Sequence, residues 1–153
     1  MKKIFYALIL QGLFCAIPAG AGEDAVLKAM NDEMKRTMDR LKMDNLDKPY
    51  FASYYVVDST ENVYSAVFGA LQDDNSSVQR NAAVDLRVGG REFDNSAYVG
   101  QDFGGYAPGT ASLNEEDGYD ALRFSLWYMT DDVYKKALEK YYQKKAYKKK
   151  KNI

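Results

Sequence analysis

Four groups of acidic residues are the side chains of this sequence best suited to chemistry. They are Asp73 with Asp74, Asp94 with Asn95, Glu115-Glu116-Asp117, and Asp131 with Asp132. A pair of carboxylates can catalyse glycoside hydrolysis, and several carboxylate and amide oxygens can hold calcium. Most of these acids fall at predicted turns or helix starts, where solvated carboxylates and helix caps are common. We therefore interpret them as structural, and we expect no catalytic residue, metal ligand or cofactor site in this chain.

Two loops have the composition of ligand-binding loops but not their spacing. Counted from Asn114, the twelfth residue is Ser125, whereas a calcium loop of the helix-loop-helix type needs glutamate there. The glycine-rich segment Gly100–Thr110 lacks the strand-to-helix setting and the spacing of a phosphate-binding loop. We interpret both as connections.

The sequence contains no histidine. This excludes a Ser-His-Asp or Cys-His nucleophilic site, a histidine-bearing zinc site and an imidazole general base built from these residues. The one cysteine, Cys15, lies in a predicted signal peptide, so the mature chain would contain neither a thiol nor a disulfide.

Residues 1–21 are typical of a secretory signal peptide. Lys2 and Lys3 form its positive start, Ile4–Phe14 forms an apolar run, and Ala19 and Ala21 supply the small residues of a cleavage site. The run is too short to cross about 30 Å of hydrocarbon as a helix, which takes roughly 20 residues. We therefore expect export to the periplasm or the extracellular space, with no transmembrane anchor after cleavage.

Residues 22–143 predict a single α+β domain, with an antiparallel meander of about four strands packed against an N-terminal helix and C-terminal helices. A helix is expected over Glu23–Met43, with an apolar stripe that packs on the sheet and consists of Leu27, Met30, Met34, Met38 and Leu41. A second stripe, from Tyr119 to Tyr141, predicts either one long helix or two, the second starting at Thr130.

Alternation of apolar and polar residues predicts a half-buried strand over Ser77–Val88, with one apolar face formed by Val78, Ala82, Val84, Leu86 and Val88. Residues 51–57 and 63–71 are apolar on both faces, so we predict inner strands covered on two sides. The residues leave open which strand lies at the sheet edge.

Three turns are expected between these strands. The polar segments Asp58–Asn62 and Gln72–Ser77 predict hairpin loops. Gly89-Gly90 predicts a tight turn, because paired glycines accept positive φ angles, and Arg91–Ser96 would then return as a fourth strand.

Charge is distributed unevenly along the chain. Residues 135–153 have a net charge of +8, while residues 22–134 have a net charge of −11. Residues 144–153 are too charged to bury anything, and we expect a disordered tail. Its lysines are candidate contacts for an anionic partner, namely Lys144, Lys145, Lys148, Lys149, Lys150 and Lys151. Envelope lipids or polymers are nearer to an exported protein than nucleic acid, which argues against a nucleic-acid partner.

Several blocks, in a fixed order, resemble one protein family. They are Pro-Tyr-Phe from Pro49, Phe-Gly-Ala-Leu from Phe68, Val-Asp-x-Arg-Val-Gly from Val84, Phe-Asp-Asn-Ser from Phe93, and Asp-Gly-Tyr-Asp-Ala-Leu-Arg from Asp117. Together they resemble the N-terminal domain of exported proteins of the TldD/PmbA family, metallopeptidases once described as modulators of DNA gyrase. The resemblance covers Ala25–Lys148.

This resemblance implies a domain that helps to shape a peptide-binding chamber and a dimer contact. The family's His-Glu-x-x-x-His zinc site lies downstream of the matched region, and without histidine none of its ligands carries over to this chain. The expected function is therefore a non-catalytic N-terminal domain, either a fragment or one half of a split enzyme. Its partner would be a catalytic domain, separate or missing, that holds the zinc, or a second copy of the chain.

Two alternatives remain from the residues. The first is a stand-alone exported interaction module, which binds a peptide along strand 77–88 or an anionic envelope surface through the lysine tail. The second is an independent carboxylate enzyme.

Overall fold

The computed structural model describes residues 24–97, 106–116 and 118–152. The elements follow the order α1 (Ala25–Arg40), β1 (Pro49–Val67), β2 (Ala70–Gly90), β3 (Phe93–Asp94), β4 (Gly109–Leu113) and α2 (Tyr119–Lys151). The four strands form one antiparallel sheet, so the predicted α+β class is confirmed. The expected signal peptide, including Ala19 and Ala21, lies outside the described residues.

β1 and β2 form one long hairpin that turns at Phe68-Gly69. The two strands pair from Pro49 opposite Val88 up to Val67 opposite Ala70. Both turn residues have positive φ, +51° at Phe68 and +80° at Gly69, which is the backbone of a two-residue hairpin turn that follows the twist of the strands.

The predicted loops at Asp58–Asn62 and Gln72–Ser77 were wrong, because both segments are strand. They are polar because this part of the hairpin extends beyond the helices and is exposed. Cross-strand pairing holds them together, with an ion pair from Arg80 to Asp58 and a hydrogen bond from Ser65 to Asp73. We call residues 58–79 the hairpin arm.

β2 is the central strand. It pairs with β1 along one side, and with β4 and β3 along the other. Strand 77–88 therefore does not offer a free edge over residues 80–84, where β4 pairs with it. The expectation that 51–57 and 63–71 are covered on two sides was also wrong, since Phe51, Tyr55, Tyr64 and Leu71 are exposed.

The turn between β2 and β3 lies two residues later than predicted. Gly89 pairs with Asp94 and Gly90 pairs with Phe93, so Arg91 and Glu92 form the two-residue turn. β3 contains only Phe93 and Asp94, rather than the whole segment 91–96. Gly89 has φ +101° but is not a turn residue. A side chain at this position would collide with β3 and α2.

Both helices pack on one face of the sheet. Val84, Leu86 and Val88 are fully buried, as the alternation predicted, and they belong to one cluster with Leu126 and Val133 of α2. Val78, predicted to share this face, is exposed because it belongs to the hairpin arm. Among residues 24–97, 106–116 and 118–152, the core therefore lies under the part of the hairpin that the helices cover.

The buried stripe of α1 differs from the predicted one. Its fully buried residues are Ala29, Glu33 and Thr37. They are four residues apart, and each directly precedes a methionine of the predicted stripe. Leu27 is exposed. The helix is shorter than expected at both ends, and the side chain of Asp24 caps it by accepting a hydrogen bond from the Val26 N–H at 2.8 Å.

α2 is one helix, which decides between the two predicted alternatives. Thr130 does not cap a second helix. Its hydroxyl donates a hydrogen bond to the Leu126 carbonyl at 2.6 Å and accepts one from the Tyr54 hydroxyl, 2.7 Å away. The helix continues to Lys151, so the structure differs from the disordered tail expected over residues 144–153. Alanine and lysine favour helix, and no glycine or proline interrupts this segment.

Candidate functional site

The four acidic groups do not come together. Asp73 and Asp74 lie on the hairpin arm, Asp94 and Asn95 follow β2, and Glu115 and Glu116 precede α2. Asp131 and Asp132 pair with Lys135 and Lys136 one turn later on α2, at 2.6 and 2.7 Å. Within the described residues, no group of three or more histidine, cysteine or acidic side chains is arranged to hold a metal ion.

Asp94 is the centre of a hydrogen-bond network that closes the β2–β3 turn. Its carboxylate accepts hydrogen bonds from the Tyr50 hydroxyl at 2.7 Å and from the backbone and side chain of Ser96. Arg87 lies 4.0 Å away. Burial raises the pKa of the Asp94 carboxyl, but the hydrogen bonds from Ser96 and Tyr50, helped by the charge of Arg87, outweigh burial and hold the pKa below its usual value.

We expect Asp94→Asn to lower the free energy of unfolding by about 1–3 kcal/mol at neutral pH, because hydrogen bonds to a charged acceptor are lost. The folded-state pKa is lowered, so the ionised carboxylate stabilises the fold above its unfolded pKa of about 3.9. That contribution is lost as pH falls through the folded-state pKa. The difference between the two proteins should therefore shrink in acid, as measured by urea unfolding between about pH 7 and pH 2.

Asp44→Asn is the matched control, because Asp44 is exposed in the loop between α1 and β1. It should change the free energy of unfolding by less than about 0.5 kcal/mol. An Asp94→Asn protein as stable as the original at neutral pH would contradict a structural role for this carboxylate.

Asn95 and Tyr106 form hydrogen bonds to the backbone of β2 in the gap between β4 and β3. The fully buried Asn95 amide accepts from the Val88 N–H at 2.8 Å and donates to the Leu86 carbonyl at 3.1 Å. The Tyr106 hydroxyl accepts from the Leu86 N–H at 2.8 Å, and burial raises the pKa of Tyr106 well above its ordinary value. Arg87 stacks on the Tyr106 ring, 5.7 Å from its centre. These side chains replace strand pairing where neither neighbouring strand reaches.

An ion cluster around a buried glutamate joins α1 to α2, and sequence analysis missed it. Glu33 is 1% exposed and pairs with Arg36 of its own helix and with Arg123 of α2, the latter at 3.6 Å. Arg36 also lies 6.0 Å from the centre of the Trp127 ring. Glu33 follows Ala29 by four residues and precedes Thr37 by four, and that spacing is the only signal in the sequence. No spacing identifies Arg123 as the partner.

The sheet face opposite the helices carries an open groove of about 550 Å³. Tyr55 and Val57 of β1 form one wall, and Thr110 and Ser112 of β4 lie across from them, with Asn81, Ala82, Ala83 and Ala111 completing the lining. Tyr55 is 64% exposed. A surface with an aromatic wall and a few hydroxyl and amide groups suits an extended, mostly uncharged peptide.

The outer edge of β1 lies beside this groove. Within the described residues, β1 pairs with β2 alone. Its outward N–H and C=O groups are therefore open to pair with another strand.

The predicted anionic contact lies on the last turns of α2. Lys144 is partly buried and donates to the carbonyls of Asp94 and Ser96 at 2.9 and 2.8 Å, so it fastens the helix to the β3 turn. The other five predicted lysines, Lys145, Lys148, Lys149, Lys150 and Lys151, are exposed. Three of them, Lys145, Lys148 and Lys149, line a groove of about 730 Å³ together with Tyr142, Ala146 and Asn152. Neither α2 nor the other described helix is long and apolar enough to cross a membrane.

Comparison of the chain with protein-family models, with curated proteins and with solved structures finds no match.

Proposed function

We propose that this chain is a non-catalytic interaction domain, the N-terminal part of an exported metallopeptidase assembly of the TldD/PmbA type, which contributes peptide binding and dimer contacts. The observation that carries the proposal is the one-sided sheet, which leaves an aromatic-walled groove and the free edge of β1 on the side away from the helices.

The residues of the resembling blocks support a structural use rather than catalysis. Asp85 pairs with Arg87 at 2.9 Å, Asp94 holds the β3 turn, and Asn95 satisfies the backbone of β2. These three side chains thus have partners within the fold that account for their positions. Any zinc would be held by histidines of another polypeptide or segment, since residues 1–153 contain none.

Peptide binding at β1 follows from its geometry. An added strand would pair with the outward backbone groups of Pro49–Val57, while its alternate side chains lie against Phe51 and Tyr55 on the open face. Main-chain hydrogen bonds would supply affinity for any extended segment, and the two aromatic side chains would favour apolar residues at every second position. This replaces strand 77–88 as the edge that receives the peptide.

We expect Tyr55→Ser to weaken the binding of a fluorescein-labelled, unstructured ten-residue peptide of alternating valine and serine by about tenfold or more. Tyrosine is among the residues that act as anchors in binding surfaces, and a loss of about 1.4 kcal/mol is a tenfold loss of affinity. Fluorescence anisotropy with the purified protein measures the dissociation constant. Tyr128→Ser is the matched control, because Tyr128 is 65% exposed but lies on α2, and it should leave the constant unchanged.

Equal weakening by both substitutions would contradict a site at β1, as would a protein that binds no such peptide. Purified protein that retains stoichiometric zinc and cleaves the peptide unaided would overturn the non-catalytic role.

The alternative is a stand-alone exported module that holds an anionic envelope surface. The five exposed lysines at the end of α2 favour it. Such a module would sediment with anionic vesicles in the absence of peptide, and binding would fall steeply as salt is raised.

A further inference from the structure

The tip of the hairpin arm is apolar and exposed. Phe68 is fully exposed at the turn, and Tyr64, Val67 and Leu71 beside it are more than half exposed. A two-stranded hairpin that projects without a covering layer is marginally stable in water. Four neighbouring apolar side chains at its end therefore indicate a surface that another molecule covers.

Phe68 also breaks the local rule for its position. Its φ is +51°, a conformation that glycine, asparagine and aspartate adopt readily and that strains a bulky residue. Its side chain gains no burial within the chain that would offset this strain. Backbone strain that no contact within the fold explains is typical of residues that bind another molecule.

The charge of the arm limits the kind of partner. From Pro49 to Gln79 the chain contains four acidic residues, Asp58, Glu61, Asp73 and Asp74, and no lysine or arginine. An anionic lipid surface would repel these carboxylates, whereas segments that bind such membranes are rich in lysine and arginine. The partner surface is therefore cationic, with an apolar floor for the tip.

The chain itself carries such a surface at the end of α2. Residues 144–152 contain six lysines and no acidic residue, and the groove there has Tyr142 and Ala146 in its lining. This groove combines the two properties that the arm requires, positive charge around an apolar strip.

The two surfaces lie at opposite ends of the molecule. Arg80, at the base of the arm, donates to the Glu115 carbonyl at 3.1 Å, just before α2 begins. Gly89, at the far end of β2, packs against Tyr141, after which α2 continues to Lys151. The arm tip and Gly89 are separated by roughly 65 Å of strand, at about 3.3 Å per residue. An arm therefore cannot reach the lysine groove of its own chain.

We propose that two copies of this chain associate side by side and antiparallel, each placing its arm tip on the other's lysine groove. A two-fold axis makes both contacts at once and closes the assembly. Phe68 lies against Tyr142 and Ala146 of the second copy. Asp73 and Asp74 lie on opposite faces of the arm, so they flank the inserted tip and face Lys148 and Lys149 on its two sides. The inference extends the proposed function by naming the surfaces of the dimer contact, and it does not depend on peptide binding at β1.

Phe68→Asn tests the tip without damaging the hairpin. Asparagine followed by glycine is the preferred pair for this turn, so the variant should fold at least as well as the original. Sedimentation equilibrium of the purified protein at low salt should give a dimer, and Phe68→Asn should raise the dimer dissociation constant at least tenfold. Phe124→Gln, which alters another exposed aromatic residue on α2, should leave the constant unchanged.

A charge exchange tests the orientation. Asp73→Lys with Asp74→Lys should weaken the dimer at least tenfold, and so should Lys148→Glu with Lys149→Glu. The protein carrying all four substitutions should recover most of the lost affinity, because each pair again faces opposite charges. Raising the salt concentration should weaken the original dimer and the recovered one alike.

Three results would overturn the proposal: a monomer at every concentration at low salt, a dimer indifferent to Phe68→Asn, or no recovery in the fourfold variant. Sedimentation with phosphatidylglycerol vesicles provides a further measurement. If the monomeric protein binds these vesicles and Phe68→Asn abolishes binding, the tip contacts lipid and the dimer is rejected. Peptide binding that survives in a monomer would leave the proposed function standing.

Discussion

Replacing Gly89 with alanine should lower the free energy of unfolding by about 2–5 kcal/mol, which combines the cost of a strained backbone with the cost of overpacking. Gly89 has φ +101°, and a Cβ atom there would lie 2.5 Å from both the Phe93 carbonyl oxygen and the Tyr141 ring. The carbonyl belongs to the backbone of β3 and cannot move without opening the turn. β2, β3 and α2 can therefore approach one another this closely only because glycine has no side chain.

Gly90→Ala is the matched control. Its added Cβ would meet no atom within 4 Å, and its φ is not positive. We expect a change of less than about 0.5 kcal/mol in urea unfolding. If both variants were equally destabilised, glycine would matter here for the turn, as the sequence suggested, rather than for packing against α2.

Replacing Asn95 with alanine should lower the free energy of unfolding by about 2–4 kcal/mol. The substitution leaves the Val88 N–H and the Leu86 carbonyl without partners, and each buried unpaired group costs about 1–3 kcal/mol. Water cannot replace the amide easily, because Asn95 is fully buried. Amide hydrogen exchange at Val88 should accelerate together with the loss of stability, which distinguishes a lost hydrogen bond from a lost contact.

Asn75→Ala is the control for Asn95, since it removes the same side chain from an exposed position of the arm. It should change stability by less than about 0.5 kcal/mol. Unchanged exchange at Val88 in the Asn95→Ala protein would show that the amide does not support the strand in solution.

The elements that sequence analysis predicted well are those whose signals are local. The strict alternation of Val84, Leu86 and Val88 identified the buried face of β2, because a strand turns its side chains to opposite faces at every residue. The stripe from Tyr119 to Tyr141 similarly predicted helix there, without deciding between one helix and two. Both patterns arise within a few neighbouring residues and need no knowledge of a partner.

Parts of the hairpin arm were wrongly predicted to be loops because polarity does not distinguish a loop from an exposed strand. Asp58–Asn62 and Gln72–Ser77 have the composition of turns, yet each is strand because it pairs with the other. The true turn, Phe68-Gly69, carries an aromatic residue that turn statistics disfavour at positive φ. Only the pairing of two segments distant in sequence determines where the chain reverses.

The candidate site was only partly predictable, for the same reason. The acidic groups were predicted at turns and helix starts, but the partner of each one could not be predicted. Asp94 became the centre of a turn because Tyr50 and Arg87 reach it from other strands. Glu33 became buried because Arg123 approaches from α2.

The sequence by itself determined the class of fold, the buried face of the central strand, an N-terminal and a C-terminal helical segment, and the absence of imidazole from residues 1–153, since composition and periodicity are properties of neighbouring residues. For the residues that the structure describes, the tertiary structure alone decided that the sheet is covered on one face, that β1 is an edge, and that an acidic arm and a basic helix end point away from each other. Those features depend on how far the helices extend over the hairpin, and contacts between segments distant along the chain set that extent.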